Sequence, residues 1–147
     1  MARGEDERSA AIDAESAVRT IEQYPIQLAV LFGSQARGTA ATVSDVDIAV
    51  AFEDALSAAE RLEARIKLTT ALAKALGTDD IDVADLDSVR PAVGAHALGT
   101  GTRLVGDRTL LEEYADRYER ELERDEETHA ERMRRFDALL ERLEAKI

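Results

Sequence analysis

The chain has 147 residues, 45% of them hydrophobic, which suits one globular domain with an ordinary buried core. Its 31 acidic and 19 basic residues give a formal net charge of -12, which argues against a surface built to bind nucleic acid phosphates. The chain contains no cysteine, which excludes disulfides and thiolate chemistry.

The first residues, 1–8, are polar and charged, and we expect them to form a disordered tail. No signal-peptide core and no apolar run of membrane-spanning length follows, so we expect a cytoplasmic protein with no membrane contact. The basic residues include only three lysines, Lys67, Lys74 and Lys146. Either a salt-rich cytoplasm or a GC-rich genome that favours arginine accounts for this acidic, lysine-poor composition.

The first half of the chain predicts one helix followed by two strands. Residues 9–24 place their apolar side chains on one helical face, and Pro25 ends that helix. IQLAVLF, residues 26–32, has the length and composition of a buried strand. In VSDVDIAVAF, residues 43–52, large apolar side chains alternate with aspartate and alanine, so the two kinds of residue lie on opposite faces of a strand.

The middle of the chain predicts a helix and a third strand. Ser57 and Glu60 have the spacing of a capping box, and Gly77 suits the end of the helix that they begin. DDIDVADL, residues 79–86, alternates as a strand does, with Asp82 on the face opposite its large apolar residues.

The last third of the chain predicts mostly helix. A short helix begins near Pro91, and residues 103–105 can add a short fourth strand. Residues 107–147 contain neither glycine nor proline and repeat apolar residues at helical spacing, with Asp107 or Thr109 available as a cap. This pattern indicates one long amphipathic helix, or two helices with a charged break at 123–132.

The order of these elements predicts an α/β (α+β) fold in which helices pack on a small mixed β-sheet. We expect a folded domain over residues 9–106. We expect residues 107–147 to be a helical extension that packs on this domain or on a partner.

Two aspartates on the second predicted strand point to a metal site. Asp45 and Asp47 leave the same face of the strand, roughly 7 Å apart along it, and adjacent carboxylates repel unless a cation or a shared proton lies between them. Oxygen ligands favour Mg²⁺ or Mn²⁺. Asp82 is the best candidate for a third ligand in a two-metal site, and Asp80 and Asp85 are weaker candidates.

The segment between the first two strands suggests a phosphate site. Gly33 and Ser34 follow the first strand where a short helix could begin, so its amides and the Ser34 hydroxyl can bind phosphate oxygens. Arg37 adds a forked cation nearby. Each residue alone has an ordinary explanation as a turn or surface residue. Together they predict a site that holds a triphosphate next to its metal ions.

Other motifs do not fit this chain. A P-loop requires lysine after its second glycine, whereas Gly38 is followed by threonine. An EF-hand requires polar ligands after Asp-x-Asp, whereas Asp47 is followed by isoleucine. His96 and His129 lack the spacing of zinc ligands, and we expect neither to be functional.

GSQARGTAATVSDVD, residues 33–47, resembles the signature of the DNA polymerase β-like nucleotidyltransferase superfamily: Gly-Ser, ten residues, then Asp-x-Asp. The likeness extends over about residues 10–110, and the short chain is similar to the minimal nucleotidyltransferase branch of that superfamily. IDVADL followed by AHALGTGTRLVGD resembles the MntA-type antitoxins of that branch.

The resemblance implies a site and an activity. It implies that Asp45, Asp47 and Asp82 ligate two Mg²⁺ ions, with Asp82 also helping to deprotonate the acceptor. The expected nucleotide-binding residues are Gly33, Ser34, Arg37 and Ser44. MntA-type proteins transfer AMP from ATP to a tyrosine of a HepT toxin, a ribonuclease of the HEPN class, and thereby silence it.

Two other functions remain open at this point. The acceptor could be a small molecule, as in antibiotic-modifying relatives, although those usually carry an additional acceptor-binding domain. The chain could also be a non-catalytic antitoxin that acts by binding alone. The presence of all three carboxylates argues against this second alternative.

Overall fold

The structure is a computed structural model and describes residues 13–33 and 46–145. In these segments the elements follow one another in this order: α1 (Ala14–Ile21), β1 (Ile26–Phe32), β2 (Val46–Phe52), α2 (Ala58–Leu76), β3 (Ile81–Asp85), α3 (Pro91–Thr100), β4 (Thr102–Val105) and α4 (Arg108–Ala145). The predicted α/β fold is confirmed, and the short fourth strand is present.

The four strands form one mixed sheet in the order β3-β2-β1-β4. Strand β1 pairs antiparallel with both β2 and β4, whereas β2 and β3 are parallel. The parallel connection requires a crossover, which α2 supplies. As a result, the end of β1 and the starts of β2 and β3 lie at the same edge of the sheet, the edge that is formed by the ends of the strands.

Helices cover both faces of the sheet, and each face has its own apolar cluster. The face under α1 and α2 buries these residues: Ala17, Ile21, Ala29, Leu31, Val46, Ile48, Val50, Phe52, Leu68, Leu72 and Val83. The face under α3 and α4 buries these: Leu28, Val30, Ala49, Ala51, Leu86, Ala97, Leu98, Tyr114 and Tyr118. The alternation predicted for β2 is therefore confirmed, because its large apolar residues and its alanines lie on opposite faces.

The helix boundaries follow local capping signals. Ser57 and Glu60 form the predicted capping box at the start of α2, and Gly77 ends that helix in the left-handed conformation with φ +69°. Pro91 occupies the first turn of α3. The Asp107 carboxylate accepts a hydrogen bond of 2.8 Å from the Leu110 amide, so Asp107 is the cap of α4.

The C-terminal extension is one continuous helix of 38 residues, without a break at the charged segment. Its buried residues are Tyr114 and Tyr118, both in its first third. No residue of α4 from Glu123 to Ala145 is buried against the domain. Nowhere in residues 13–33 and 46–145 does a helix combine the length and apolar character that crossing a membrane would require.

Candidate active site

Asp47 and Asp82 lie side by side on the parallel strands β2 and β3. They are direct partners in the strand register, which places their Cα atoms about 4.8 Å apart. Both side chains project from the sheet face that carries α3 and α4, since their neighbours Ile48 and Val83 point into the opposite cluster. Asp47 is half-buried and Asp82 is exposed. The sheet thus presents two carboxylates together at one edge.

Gly33 brings the end of β1 against the first of these carboxylates. Its φ of +77° lies in the left-handed region, which favours glycine. A Cβ atom at this position would lie 2.5 Å from Asp47 Oδ2 and 3.4 Å from Asp47 Cγ. Glycine is therefore required at position 33 for two reasons. It allows the turn that follows β1, and its lack of a side chain leaves room for the Asp47 carboxylate.

An open depression of about 290 Å³ adjoins the two carboxylates. Its lining among the described residues consists of Val46, Asp47, Asp79, Asp80, Ile81 and Asp82. Every charged side chain in that set is a carboxylate, so the depression offers oxygen ligands and negative charge. This donor set fits an oxygen-binding divalent cation such as Mg²⁺, which binds few carboxylates and keeps several waters or phosphate oxygens.

Four predicted site residues, Ser34, Arg37, Ser44 and Asp45, lie outside the residues that the structure describes. Their roles remain predictions. In the two described segments no group of three histidine, cysteine or acidic residues is arranged to hold a metal ion. The described part of the predicted metal site is the pair Asp47 and Asp82, and Asp45 precedes Asp47 by two positions in the sequence.

Of the two weaker candidates, Asp80 lies at the depression and Asp85 does not. Asp80 sits immediately before β3, where its carbonyl accepts a 2.9 Å hydrogen bond from the Val46 amide. Asp85 lies at the far end of β3 and on the opposite sheet face, since it follows Val83 by two positions. Its buried carboxylate forms a 3.0 Å ion pair with Arg61. The suggestion that Asp85 belongs to the metal site was therefore wrong.

Asp79 was missed by the sequence analysis, although it lines the same depression as Asp82. The available signal was the Asp79-Asp80 pair directly before a strand that carries a candidate ligand. Periodicity could not place Asp79, because it lies outside β3, where the alternation of faces no longer applies.

A second polar cluster joins the end of β3 to α4, away from the depression. The Tyr114 hydroxyl donates to the Asp87 carboxylate at 3.2 Å, and the Arg117 guanidinium donates to the same carboxylate at 3.1 Å. Arg117 also lies over the Tyr114 ring, 4.5 Å from its centre. The Tyr118 hydroxyl donates to the Leu86 carbonyl. These contacts fasten α4 to the sheet.

Comparison with known proteins identifies the fold and its relatives. The sequence model of the family described as "Polymerase beta, Nucleotidyltransferase" matches residues 15–109. The protein adenylyltransferase MntA of Shewanella oneidensis is 37% identical over 81 residues, which are 55% of this chain and 55% of that protein. The match thus spans about half the length of this relative.

Solved structures are similar to a larger share of this chain. A chain of a toxin-antitoxin crystal structure with AMP-PNP is 28% identical, with a TM-score of 0.67 over 88% of this chain and 99% of that chain. A second match comes from a complex of tri-AMPylated Shewanella oneidensis HEPN toxin with MNT antitoxin. It is 26% identical, with a TM-score of 0.60 over 86% of this chain and 95% of that chain.

Proposed function

The chain belongs to the polymerase beta nucleotidyltransferase family, and from this premise we propose that it is a protein adenylyltransferase of the antitoxin type. It transfers AMP from Mg-ATP to a hydroxyl, that of a tyrosine, on a HepT-like HEPN ribonuclease toxin and so neutralises the toxin. The proposal is supported by the likeness to a protein adenylyltransferase and to toxin-antitoxin structures, one of them with AMP-PNP.

One observation carries the proposal: the Gly33 turn lies against the carboxylate of Asp47, and Asp47 lies beside Asp82. Phosphate transfer needs a group that holds the triphosphate next to groups that hold its divalent cations. The turn after β1 and the carboxylates of β2 and β3 meet at the same sheet edge, where they can serve these two needs together.

We assign the nucleotide to the turn and the cation to the carboxylates. Gly33 and Ser34, with Arg37 and Ser44, bind the phosphate oxygens. Asp47, Asp82 and Asp45 hold two Mg²⁺ or Mn²⁺ ions. When bound, these ions supply charge neutralisation at the phosphates and lower the pKa of the acceptor hydroxyl.

We propose the following transfer step for these side chains. The acceptor oxygen forms a bond to the α-phosphorus, the bond from that phosphorus to the bridging oxygen breaks, and pyrophosphate leaves. Asp82, the exposed member of the pair, is placed to take the hydroxyl proton as the acceptor approaches from solvent. Asp47, half-buried against Gly33, has a fixed position and serves to orient the donor.

The charge of the chain suits the proposed partner. A ribonuclease carries a basic surface for its RNA substrate, and a chain with a net charge of -12 is attracted to such a surface. We place this encounter in the cytoplasm, where ATP is available as the donor. The long-range attraction weakens as salt is added, because ions screen it.

The direct test incubates the protein with α-labelled ATP, Mg²⁺ and the product of the adjacent gene, which we propose to be a HEPN-type toxin. We expect label on that protein, lost with Asp47→Asn and kept with Asp116→Asn. Asp116 is an exposed carboxylate on α4 and does not line the depression, so it controls for a change in net charge alone.

The same experiment separates the two other functions. A tight complex without label, unchanged in Asp47→Asn, would identify an antitoxin that acts by binding alone. Label that appears on a small-molecule acceptor such as an aminoglycoside, and never on the toxin, would identify the antibiotic-modifying reaction. Either result would overturn the proposal.

A further inference from the structure

The second half of α4 presents an apolar stripe that no described residue covers. Four side chains form it: Met133, Phe136, Leu140 and Leu143, which are 46%, 54%, 42% and 52% exposed. Their spacing of three, four and three residues puts them on one helical face. Monomeric proteins seldom leave such a contiguous apolar strip in water, so the stripe indicates a binding surface.

The stripe lies on a part of the helix that leaves the domain. From Glu123 to Ala145 no residue is buried, and this segment extends roughly 34 Å at the helical rise per residue. The sheet and helices within residues 13–33 and 46–122 therefore do not pack on this face. The spacing is that of the a and d positions of a coiled coil, with Met133 and Leu140 at a and Phe136 and Leu143 at d.

We propose that the stripe binds the same stripe of a second copy of this chain, with the two helices parallel and in register. The charged residues beside the stripe favour a second copy of the chain as the partner, and they favour the parallel orientation of the two helices. In the heptad, Arg132 occupies a g position and Asp137 the following e position. A parallel second copy places Arg132 of each chain opposite Asp137 of the other, which gives two complementary pairs.

The antiparallel arrangement has the opposite electrostatics. Centred on the stripe, it places Met133 opposite Leu143 of the second copy and brings the two Asp137 side chains together at e positions. Like charges that face each other oppose pairing. The charge pattern therefore favours the parallel dimer over the antiparallel one.

The pairing has a definite upstream limit. Continuing the heptad towards the N-terminus puts Glu126 at an a position, where a parallel copy would face it with a second Glu126. The paired segment thus begins after Glu126. Its total buried area, on the order of 1,000 Å², is at the lower limit for a specific interface. The dimer is accordingly weak and depends on concentration.

The first test is sedimentation of the full chain across a range of concentrations. We expect dimers that form with a micromolar dissociation constant and are lost in Phe136→Ser. Leu62→Ser is the matched control, because Leu62 is 56% exposed on another helix and lies off the stripe. A chain that stays monomeric at every concentration would overturn the proposal, whether the stripe then serves a different protein or a segment of the same chain.

Charge exchange tests the partner and its direction. Arg132→Glu and Asp137→Arg should each weaken the dimer, and the double variant should restore it, with about a tenfold change in dissociation constant for each single variant. Arg134→Glu, at an outer heptad position, controls for net charge. Restoration is specific to the proposed pairs, and its absence in a folded double variant would contradict them.

Cross-linking gives an independent measure of register, because the chain has no cysteine of its own. In the parallel dimer Leu143 faces Leu143 of the second copy, so Leu143→Cys should form an intermolecular disulfide on mild oxidation. Leu62→Cys should not. A Leu143→Cys chain that dimerises without cross-linking would show that the helices run in opposite directions and overturn the parallel arrangement.

Discussion

The Gly33 backbone lies directly against the Asp47 carboxylate, so closely that a Cβ on Gly33 would be 2.5 Å from Oδ2. This contact couples the turn after β1 to the first carboxylate of β2. The shape of the proposed phosphate site and the position of a proposed metal ligand therefore depend on one another.

Gly33→Ala should abolish AMP transfer while leaving the protein folded. The new methyl group would displace the Asp47 carboxylate, and the positive φ would cost about 1–2 kcal/mol of folding free energy. Gly77→Ala is a matched control, because Gly77 has a similar φ of +69°, but a Cβ there would have no atom of the described residues within 4 Å. Thermal unfolding should show that Gly33→Ala is destabilised at least as much as Gly77→Ala, and label transfer should be lost only in Gly33→Ala. Equal activity in both would contradict the coupling.

Asp82→Asn should remove activity without loss of stability. Asp82 is exposed at the strand edge, so its substitution disturbs little packing. Loss of a metal ligand at a phosphoryl-transfer site removes several kcal/mol of transition-state stabilisation, which is about 100-fold or more in rate. Transfer of labelled AMP and chemical unfolding measure the two effects.

Asp79→Asn is the control for Asp82→Asn, since Asp79 lines the same depression from outside the strand. It should reduce the rate much less. Comparable losses in both variants would mean that the depression acts through its overall negative charge, and that Asp82 has no separate role.

Asp85→Ala should lower the free energy of unfolding, because the variant loses a buried ion pair. The Asp85 carboxylate accepts hydrogen bonds from Arg61 at 3.0 Å, the Asp87 amide at 2.9 Å and the Ser88 hydroxyl at 3.3 Å. Leaving these donors without their acceptor should cost about 3 kcal/mol of unfolding free energy. Urea unfolding measures this cost.

Glu112→Ala is the control variant for Asp85→Ala. Glu112 pairs with Arg108 at 3.2 Å, but both side chains are largely exposed. Its removal should change the unfolding free energy by only about 0.5 kcal/mol or less. If Asp85→Ala were no more costly than Glu112→Ala, the buried pair would not contribute to stability.

Gly94→Ala should loosen the contact between α3 and α4. A Cβ at Gly94 would overlap the Tyr118 ring, which is fully buried. Forcing a methyl group into this contact should cost about 1–3 kcal/mol. Gly99 is in the same helix, and a Cβ there would have no atom of residues 13–33 and 46–145 within 4 Å. Gly99→Ala should instead stabilise the protein by about 0.5 kcal/mol. Opposite shifts in melting temperature are expected, and shifts of the same sign would contradict this packing.

Local signals predicted those parts of the fold that depend on neighbouring residues. The Ser57 and Glu60 capping box and the alternation in β2 follow from chemistry within a few positions, and both are present. The same alternation placed Asp47 and Asp82 on one face before their register was known. It could not show that the two are direct partners, because pairing of β2 with β3 spans the whole of α2.

Features that depend on distant contacts were not predicted. Arg61 and Asp85 are 24 positions apart, and nothing in either segment indicates that they pair. Gly94 sits in α3 because the Tyr118 ring of α4 occupies the space of its side chain, which only the packed structure reveals. Periodicity detected the apolar stripe of α4, but it could not distinguish a buried face from an exposed one.

The two buried tyrosines of α4 should make the protein sensitive to alkaline pH. Burial, followed by the charge of Asp87, raises the pKa of Tyr114 to about 12. Burial also raises the pKa of Tyr118 to about 12, against the opposing effect of Arg117. The unfolded chain ionises these phenols near pH 10, while the folded chain keeps them protonated. The protonated tyrosines contribute their whole share to the free energy of unfolding below about pH 10, and this contribution is lost as the pH rises towards 12.

A shift of two pKa units is about 3 kcal/mol for each group, as an upper estimate. Unfolding free energies measured from pH 8 to 12 should therefore fall more steeply in the parent protein than in a Tyr114→Phe/Tyr118→Phe variant. The variant loses the hydrogen bonds to Asp87 and Leu86, so it should be less stable at neutral pH by about 1–3 kcal/mol in total. Because other groups also titrate in this range, the difference between the two slopes carries the test. Parallel curves would show that the tyrosines do not control the alkaline transition, and that the attachment of α4 depends on its apolar contacts alone.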